Sequence, residues 1–154
     1  MYKAGVRALL RHGIRRLNAG DPSFLLRFAA PDAEIVFPGE NSWAQMHRPI
    51  QRGRQPHATH KGIEECRSFA ERFVAEGVQF EIEDILVNGP PWNTRVALRA
   101  HDFVADDHDD IYNNRVVAFI EMRWGRLHRW EDYEDTERIA AWDEASAAAG
   151  FNPS

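Results

Sequence analysis

The sequence predicts an α+β domain in which helices cover one face of a curved, mainly antiparallel sheet. Three observations predict it. Apolar residues recur at helical spacing through the first half of the chain. From Val78 onward the pattern switches to strands separated by turn residues, and after Asp135 it returns to a short closing helix.

The first helix, over residues 1–18, carries Val6, Leu9, Leu10, Ile14 and Leu17 in one stripe, with Lys3, Arg7, Arg11, Arg15 and Arg16 as its basic residues. The stripe reads as a helix docked on a core and not as a targeting segment. Asn18-Ala19-Gly20 ends it, and Asp21-Pro22 starts a second, short helix with Asp21 as N-cap and Phe24, Leu25 and Phe28 turned inward. A strand follows at 34–37. Residues 38–60 are expected to be a loop, holding Trp43, His47, His57 and His60. At that length it is expected to form the lid or rim of a pocket.

Residues 62–76 form the clearest helix, with Ile63, Cys66, Phe69, Ala70 and Phe73 on one face. Cys66 reads as a small core residue. Four strands follow, at 80–87, 94–104, 112–124 and 126–134. They are joined by the turn Asn88-Gly89-Pro90-Pro91, an acidic hairpin loop at 106–110, and Gly125. Asp135 or Thr136 caps the closing helix, which carries Ile139 and Trp142.

A chain of 154 residues supports one core, so a single domain is expected over 1–146 with a short tail at 147–154. Hydrophobic residues at 44% and charged residues at 28% mark a globular chain. A net charge of −5 argues against a broad nucleic-acid-binding surface. Cys66, alone, excludes an intrachain disulfide and a cysteine-rich metal site, and a reducing cytoplasmic setting is the default. No apolar run reaches the ~18 residues of a membrane span.

The stretch from Arg99 to Asp135 resembles the SnoaL-like branch of the NTF2-like superfamily, in particular its limonene-epoxide-hydrolase type. The residues that carry this are Arg99 and His101, Tyr112-Asn113, Gly125 and Trp130-Glu131-Asp132-Tyr133-Glu134-Asp135. The resemblance implies a cone fold, with N-terminal helices on the concave face of the sheet and a deep, mostly apolar pocket, often in dimers. Relatives of this kind include polyketide cyclases, ketosteroid isomerases, epoxide hydrolases and dehydratases, none needing a metal or organic cofactor.

In the register that the resemblance implies, Arg99, His101, Asn114, Val116, Trp130 and Asp132 all face the pocket. Asp132 matches one carboxylate of the epoxide-hydrolase type and Arg99 its bridging arginine. His101 stands where the second carboxylate would be, and the adjacent Asp102 falls on the opposite face. The expectation is an acid/base pair of His101 and Asp132 steadied by Arg99. Trp130, Asn114, Val116, Phe37, Trp43 and Glu134 are expected to contact substrate. The same residues also suit a polar network that does no chemistry.

Other groupings read as bland. His101, Asp102 and the acidic run from Asp106 to Asp110 lack metal-ligand spacing, and His57 with His60 reads as ordinary loop. No metal and no cofactor are expected. Val117, Phe119, Leu127 and Tyr133 are assigned to the sheet's outer face, where they favour a homodimer. The function expected is cofactor-independent acid/base chemistry on a partly apolar small molecule (isomerisation, cyclisation, dehydration or epoxide opening). A non-catalytic ligand-binding or interaction domain is the alternative, and neither reading calls for nucleic acid or membrane.

Overall fold

A computed structural model describes residues 1–105 and 110–150 of the chain. The acidic loop expected at 106–110 lies outside the described residues except for the backbone of Asp110, as does the end of the expected tail, 151–154. Helices α1 (Tyr2–Asn18) and α2 (Ser23–Phe28) lead into strand β1 (Ala29–Pro38). A single 3₁₀ turn (Ala44–Met46), strand β2 (His57–Lys61) and helix α3 (Gly62–Ala75) come next. Strands β3 (Gln79–Asn88), β4 (Thr94–Ala105), β5 (Asp110–Arg123) and β6 (Arg126–Glu134) follow, and helix α4 (Thr136–Ala148) closes the chain.

The six strands make one sheet in the order β2-β1-β6-β5-β4-β3. Only β1 and β6 pair in parallel; the other neighbours are antiparallel. The segment expected to be a loop to residue 60 therefore contains an edge strand. Ala58, Thr59 and His60 are buried there: β2 hydrogen-bonds along β1, Ala58 joins the cluster around Phe37 and Trp43, and the His60 ring packs against Phe69 at 5.1 Å. Among the described residues, no helix is long and apolar enough to cross a membrane.

Both long helices ahead of the meander stop in the same way. Gly20 and Gly77 take positive φ of 87° and 72°. The N–H groups that follow reach back, Asp21 to the Arg16 carbonyl and Val78 to the Phe73 carbonyl. This left-handed cap satisfies the last helical carbonyls and turns the chain sharply. Asp21 stands ahead of Pro22, which takes helical angles, and its carboxylate accepts from the Ser23 N–H at 2.9 Å in the manner of the expected N-cap, while also binding Arg16.

Helix α1 docks through Val6, Leu10 and Ile14, which are buried against Val96, Leu98, Ile120 and Met122 of the sheet. Its last residue is pinned to edge strand β3. Asn18 Nδ2 donates to the Phe80 carbonyl at 3.0 Å, and Phe80 N–H donates to Asn18 Oδ1 at 2.9 Å. The side-chain amide so replaces a missing neighbouring strand. A second cluster gathers Phe37, Trp43, Phe69, Tyr112, Ile139 and Trp142 beneath α3 and α4. Asp135 caps α4 by accepting from the Glu137 N–H at 3.0 Å.

One outer-face assignment changes. Val117, Phe119 and Tyr133 are exposed on the back of the sheet as expected, but Leu127 is buried. A β-bulge is the cause: Met122 pairs with Leu127 while Glu121 pairs with Arg129, leaving His128 as the extra residue. Leu127 and Trp130 thus share a face despite their odd spacing.

Gly89 at the β3–β4 turn has φ of +85°, and a β-carbon there would collide with the Asn93 carbonyl. Gly89→Ala is expected to cost about 2–3 kcal/mol, read as a lowered urea midpoint with an unchanged slope.

Candidate functional site

Between the helices and the concave face of the sheet lies a cavity of about 140 Å³. Every helix contributes to its wall: Ile14 and Leu17 from α1, Leu25 from α2, Phe69 and Phe73 from α3, Ile139 and Trp142 from α4. The sheet supplies Phe37, Phe80, Asp102, Tyr112, Leu127, Trp130, Asp132 and Glu134. The wall is mostly aromatic and apolar, with a patch of carboxyl groups and the paired Glu34 and Arg129 as its charged members.

Strand parity sets which residues enter. On β4, Val96, Leu98, Ala100, Asp102 and Val104 are buried, while the Arg99 side chain is 64% exposed. Burying that apolar row is worth about 25 cal/mol per Å² of surface removed from water, and the two-residue period carries Asp102 in with it. Arg99 and His101 therefore face outward, contrary to the register implied by the resemblance. Arg99 pairs with Glu83 at 3.0 Å, and His101 Nε2 meets Asn113 Oδ1 at 2.6 Å while its ring stacks on Phe103. Asp102, set aside in the sequence reading, is the inward residue. The signal that finds it is the run Val96, Leu98, Ala100.

The other expected residues divide. Asp132, Trp130, Glu134, Phe37 and Trp43 line the cavity. Val116 is buried in the core packed behind it. Asn114 is buried and serves Glu134: its Nδ2 donates to Glu134 Oε2 at 3.2 Å and to the Asp135 carbonyl at 3.0 Å. Tyr112 completes this hold by donating its hydroxyl to Glu134 Oε2 at 3.1 Å. Asp132 accepts from the Trp130 indole at 2.7 Å. Asp102 differs, for its Oδ1 is buried and without a hydrogen-bond partner among the described residues.

These three carboxyl groups sit in low dielectric and close enough to repel one another. Burial pushes Asp102 up to about 7. Burial likewise pushes Asp132 up to about 7, the Trp130 hydrogen bond opposing and the charges of Asp102 and Glu131 adding to the rise. Burial, then Asp132 and Asp102, hold Glu134 well above the ordinary carboxylate range. Near neutral pH the group holds shared protons, so acid and base forms coexist in one patch.

Cations are scarce. The cationic side chain among the lining residues is Arg129, and it is paired with Glu34 at 3.2 Å and Glu131 at 3.0 Å. Elsewhere, His47, His60 and Glu65 bring ligand-type atoms within 4.8 Å of one another. Those atoms are already engaged. Arg48 takes both Glu65 oxygens, at 2.8 and 2.6 Å, and the two Nδ1 atoms of the histidines meet at 2.7 Å. The cluster ties the loop before β2 to α3 and opposes an added cation with the Arg48 charge.

Trp43, in the wall, is clamped from behind. Arg72 lies over its ring at 4.1 Å and donates to Ser42 Oγ at 2.7 Å. Ser42 in turn binds Asp143 of α4 through its N–H at 2.6 Å and its hydroxyl at 2.7 Å. The long segment thus supplies a fixed wall residue, and His57 and His60 stay out of the cavity lining.

A curved sheet with helices over its concave face and a pocket between them is the NTF2-like cone. Residues 10–130 match the SnoaL-like domain, and the chain belongs to that family. No curated protein sequence matches it. Among solved structures, Bal32a from a soil-derived mobile gene cassette is similar at 20% identity, with 90% of this chain and 94% of that one covered and a TM-score of 0.66. An NTF2-like protein of unknown function from Mesorhizobium loti is similar at 20% identity, with 84% and 90% covered and a TM-score of 0.59. A proposed polyketide cyclase from Sinorhizobium meliloti is similar at 16% identity, with 82% and 94% covered and a TM-score of 0.53. At these identities the likeness is one of fold.

Raised carboxyl pKa values make the folded chain bind more protons than the unfolded chain between about pH 4 and pH 7. The contribution of these groups to stability is therefore full below that window and falls as pH rises through it. Asp102→Asn is expected to unfold at higher urea than the parent at pH 8, by roughly 2–4 kcal/mol, with the gap closing toward pH 4.

Proposed function

We propose that the protein binds a partly apolar small molecule in this cavity and moves protons on it, with Asp102 and Asp132 as the acid/base pair. The observation that supports this best is Oδ1 of Asp102, without a hydrogen-bond partner among the described residues and buried inside an aromatic cavity beside two further carboxyl groups. A buried acceptor without a partner is costly unless something supplies the missing donor. Carboxyls with pKa near 7 give both forms that such chemistry needs.

The ionised member takes a proton from carbon next to a substrate carbonyl. The protonated member donates to the carbonyl oxygen, so the enol forms without free oxyanion charge. Return of a proton to a different carbon isomerises the substrate; attack by the enol's α-carbon on a second carbonyl instead cyclises it, the enol O–H proton passing to the carboxylate as the new hydroxyl takes a proton from the protonated carboxyl. Glu134, held by Tyr112 and Asn114, is itself pushed toward its protonated form by burial and by the charges of Asp132 and Asp102. Trp130 orients Asp132. Isomerisation and cyclisation suit this arrangement better than epoxide opening with a bridging arginine, since Arg99 points away. Likeness in fold to a proposed polyketide cyclase accords with a cyclic or polyketonic substrate.

Ligand binding without turnover is the second reading. It is favoured by the hydrogen bonds that already occupy Asp132 and Glu134. Exchange of the α-protons of 2-tetralone in D₂O, followed by NMR, separates the two. The native protein is expected to speed exchange; Asp132→Asn or Asp102→Asn lowers the rate about 10²–10⁴-fold, while Arg99→Ala and His101→Ala stay within about threefold. Binding of the ketone with no acceleration supports the second reading.

The homodimer belongs to this proposal too, carried by the exposed Val117, Phe119 and Tyr133 on the outer face. Light scattering at micromolar concentration is expected to give twice the chain mass of 17.7 kDa.

A further inference from the structure

We infer that the cavity selects a hydrophobic amine, held as its ammonium form against Asp102, Asp132 and Glu134. The inference rests on the reading that the cavity binds a small molecule, and it names the charge class of that molecule.

Three features carry it. The carboxyl patch of the cavity offers acceptors, and one of them, Asp102 Oδ1, is buried with no donor facing it among the described residues, while the Trp43 indole N–H elsewhere in the wall is a buried donor without a partner among them. Asp102 is 7% exposed, so bulk water does not supply that donor freely. An anionic ligand meets three carboxyls and finds the lining cation, Arg129, already shared between Glu34 and Glu131. It is repelled, and the neutral Trp43 indole N–H supplies no charge to offset the repulsion.

An ammonium group reverses each of these terms. It donates up to three hydrogen bonds, which suits a carboxylate lacking a donor. Its charge relieves the mutual repulsion of the carboxyl groups. The face of an aromatic ring attracts a cation at close range, and Trp130, Phe80 and Trp142 stand in the same wall. The apolar remainder of the ligand fills a volume of about 140 Å³, the size of a single substituted ring.

Binding of a cation here is linked to protons. An ammonium ion favours ionised carboxyls, so its uptake releases protons and its affinity rises with pH. The other titratable or charged groups around the cavity are Glu34 on β1, Cys66 on α3, Tyr112 on β5 and Arg129 on β6. Glu34 and Arg129 neutralise each other. Burial moves Cys66 up to about 11 and Tyr112 higher still, so neither titrates between pH 5 and 8.

The test uses the full chain and three probes of one shape, 2-phenylethylamine, 2-phenylethanol and phenylacetate, titrated calorimetrically at pH 5 and pH 8. At pH 8 the amine is expected to bind at least tenfold more tightly than the alcohol, and phenylacetate to show no binding. The advantage of the amine shrinks at pH 5. Asp102→Asn, and separately Asp132→Asn, is expected to lower amine affinity about tenfold and to leave the alcohol within threefold. Arg99→Ala, on the outer face, changes none of these values. An alcohol or acid that binds as tightly as the amine at pH 8 overturns the inference and leaves the cavity's binding role standing. Failure of all three probes to bind overturns both.

Discussion

Strand alternation on β4 is the constraint from which the rest of the site follows. Val96, Leu98, Ala100 and Val104 must be covered, and a strand places every second residue on one side. Asp102 stands in that series and has no other direction to point. A carboxyl group is thus carried into an apolar wall by its neighbours' burial. Its desolvation is a local loss within a larger gain, which is how reactive groups are held in environments they would not choose.

A second constraint acts on β6. The bulge at His128 changes the strand's phase, so Leu127 packs inward before it and Trp130, Asp132 and Glu134 point inward after it. Without that extra residue, a regular alternation from Leu127 would turn Trp130, Asp132 and Glu134 to the back of the sheet. Parallel pairing with β1 then brings Ile35 opposite Trp130, and so places the wall of Phe37 and Trp43 on the near side of the same cavity.

Much of this was legible in the residues. The stripe on α1, the stop at Gly20, the α3 face and the strands of the meander all follow from local pattern, and the Trp130–Asp135 segment carries the family resemblance. Asp132, Trp130 and Glu134 were placed correctly because β6 keeps simple alternation past its bulge. Arg99 and His101 face outward because the apolar series on β4, and not the residue types of the resemblance, sets the face. Sequence similarity reports which residue types recur; burial decides the face. The bulge itself left no local mark, for Arg126-Leu127-His128 reads as plain alternation. His60 is equally hidden: a histidine between Thr59 and Lys61 has the composition of a loop, and its burial comes from pairing of β2 with β1 beneath Phe69 and His47.

Helix α4 adds Ile139 and Trp142 to the cavity and anchors the Trp43 segment through Asp143. It follows every other wall of the cavity in chain order. During synthesis, then, the aromatic wall stands open until the final helix has left the ribosome, and premature termination leaves a sticky trough in place of a pocket. Only a chain carrying this helix can shield those rings, which ties the integrity of the binding chamber to completed translation of α4.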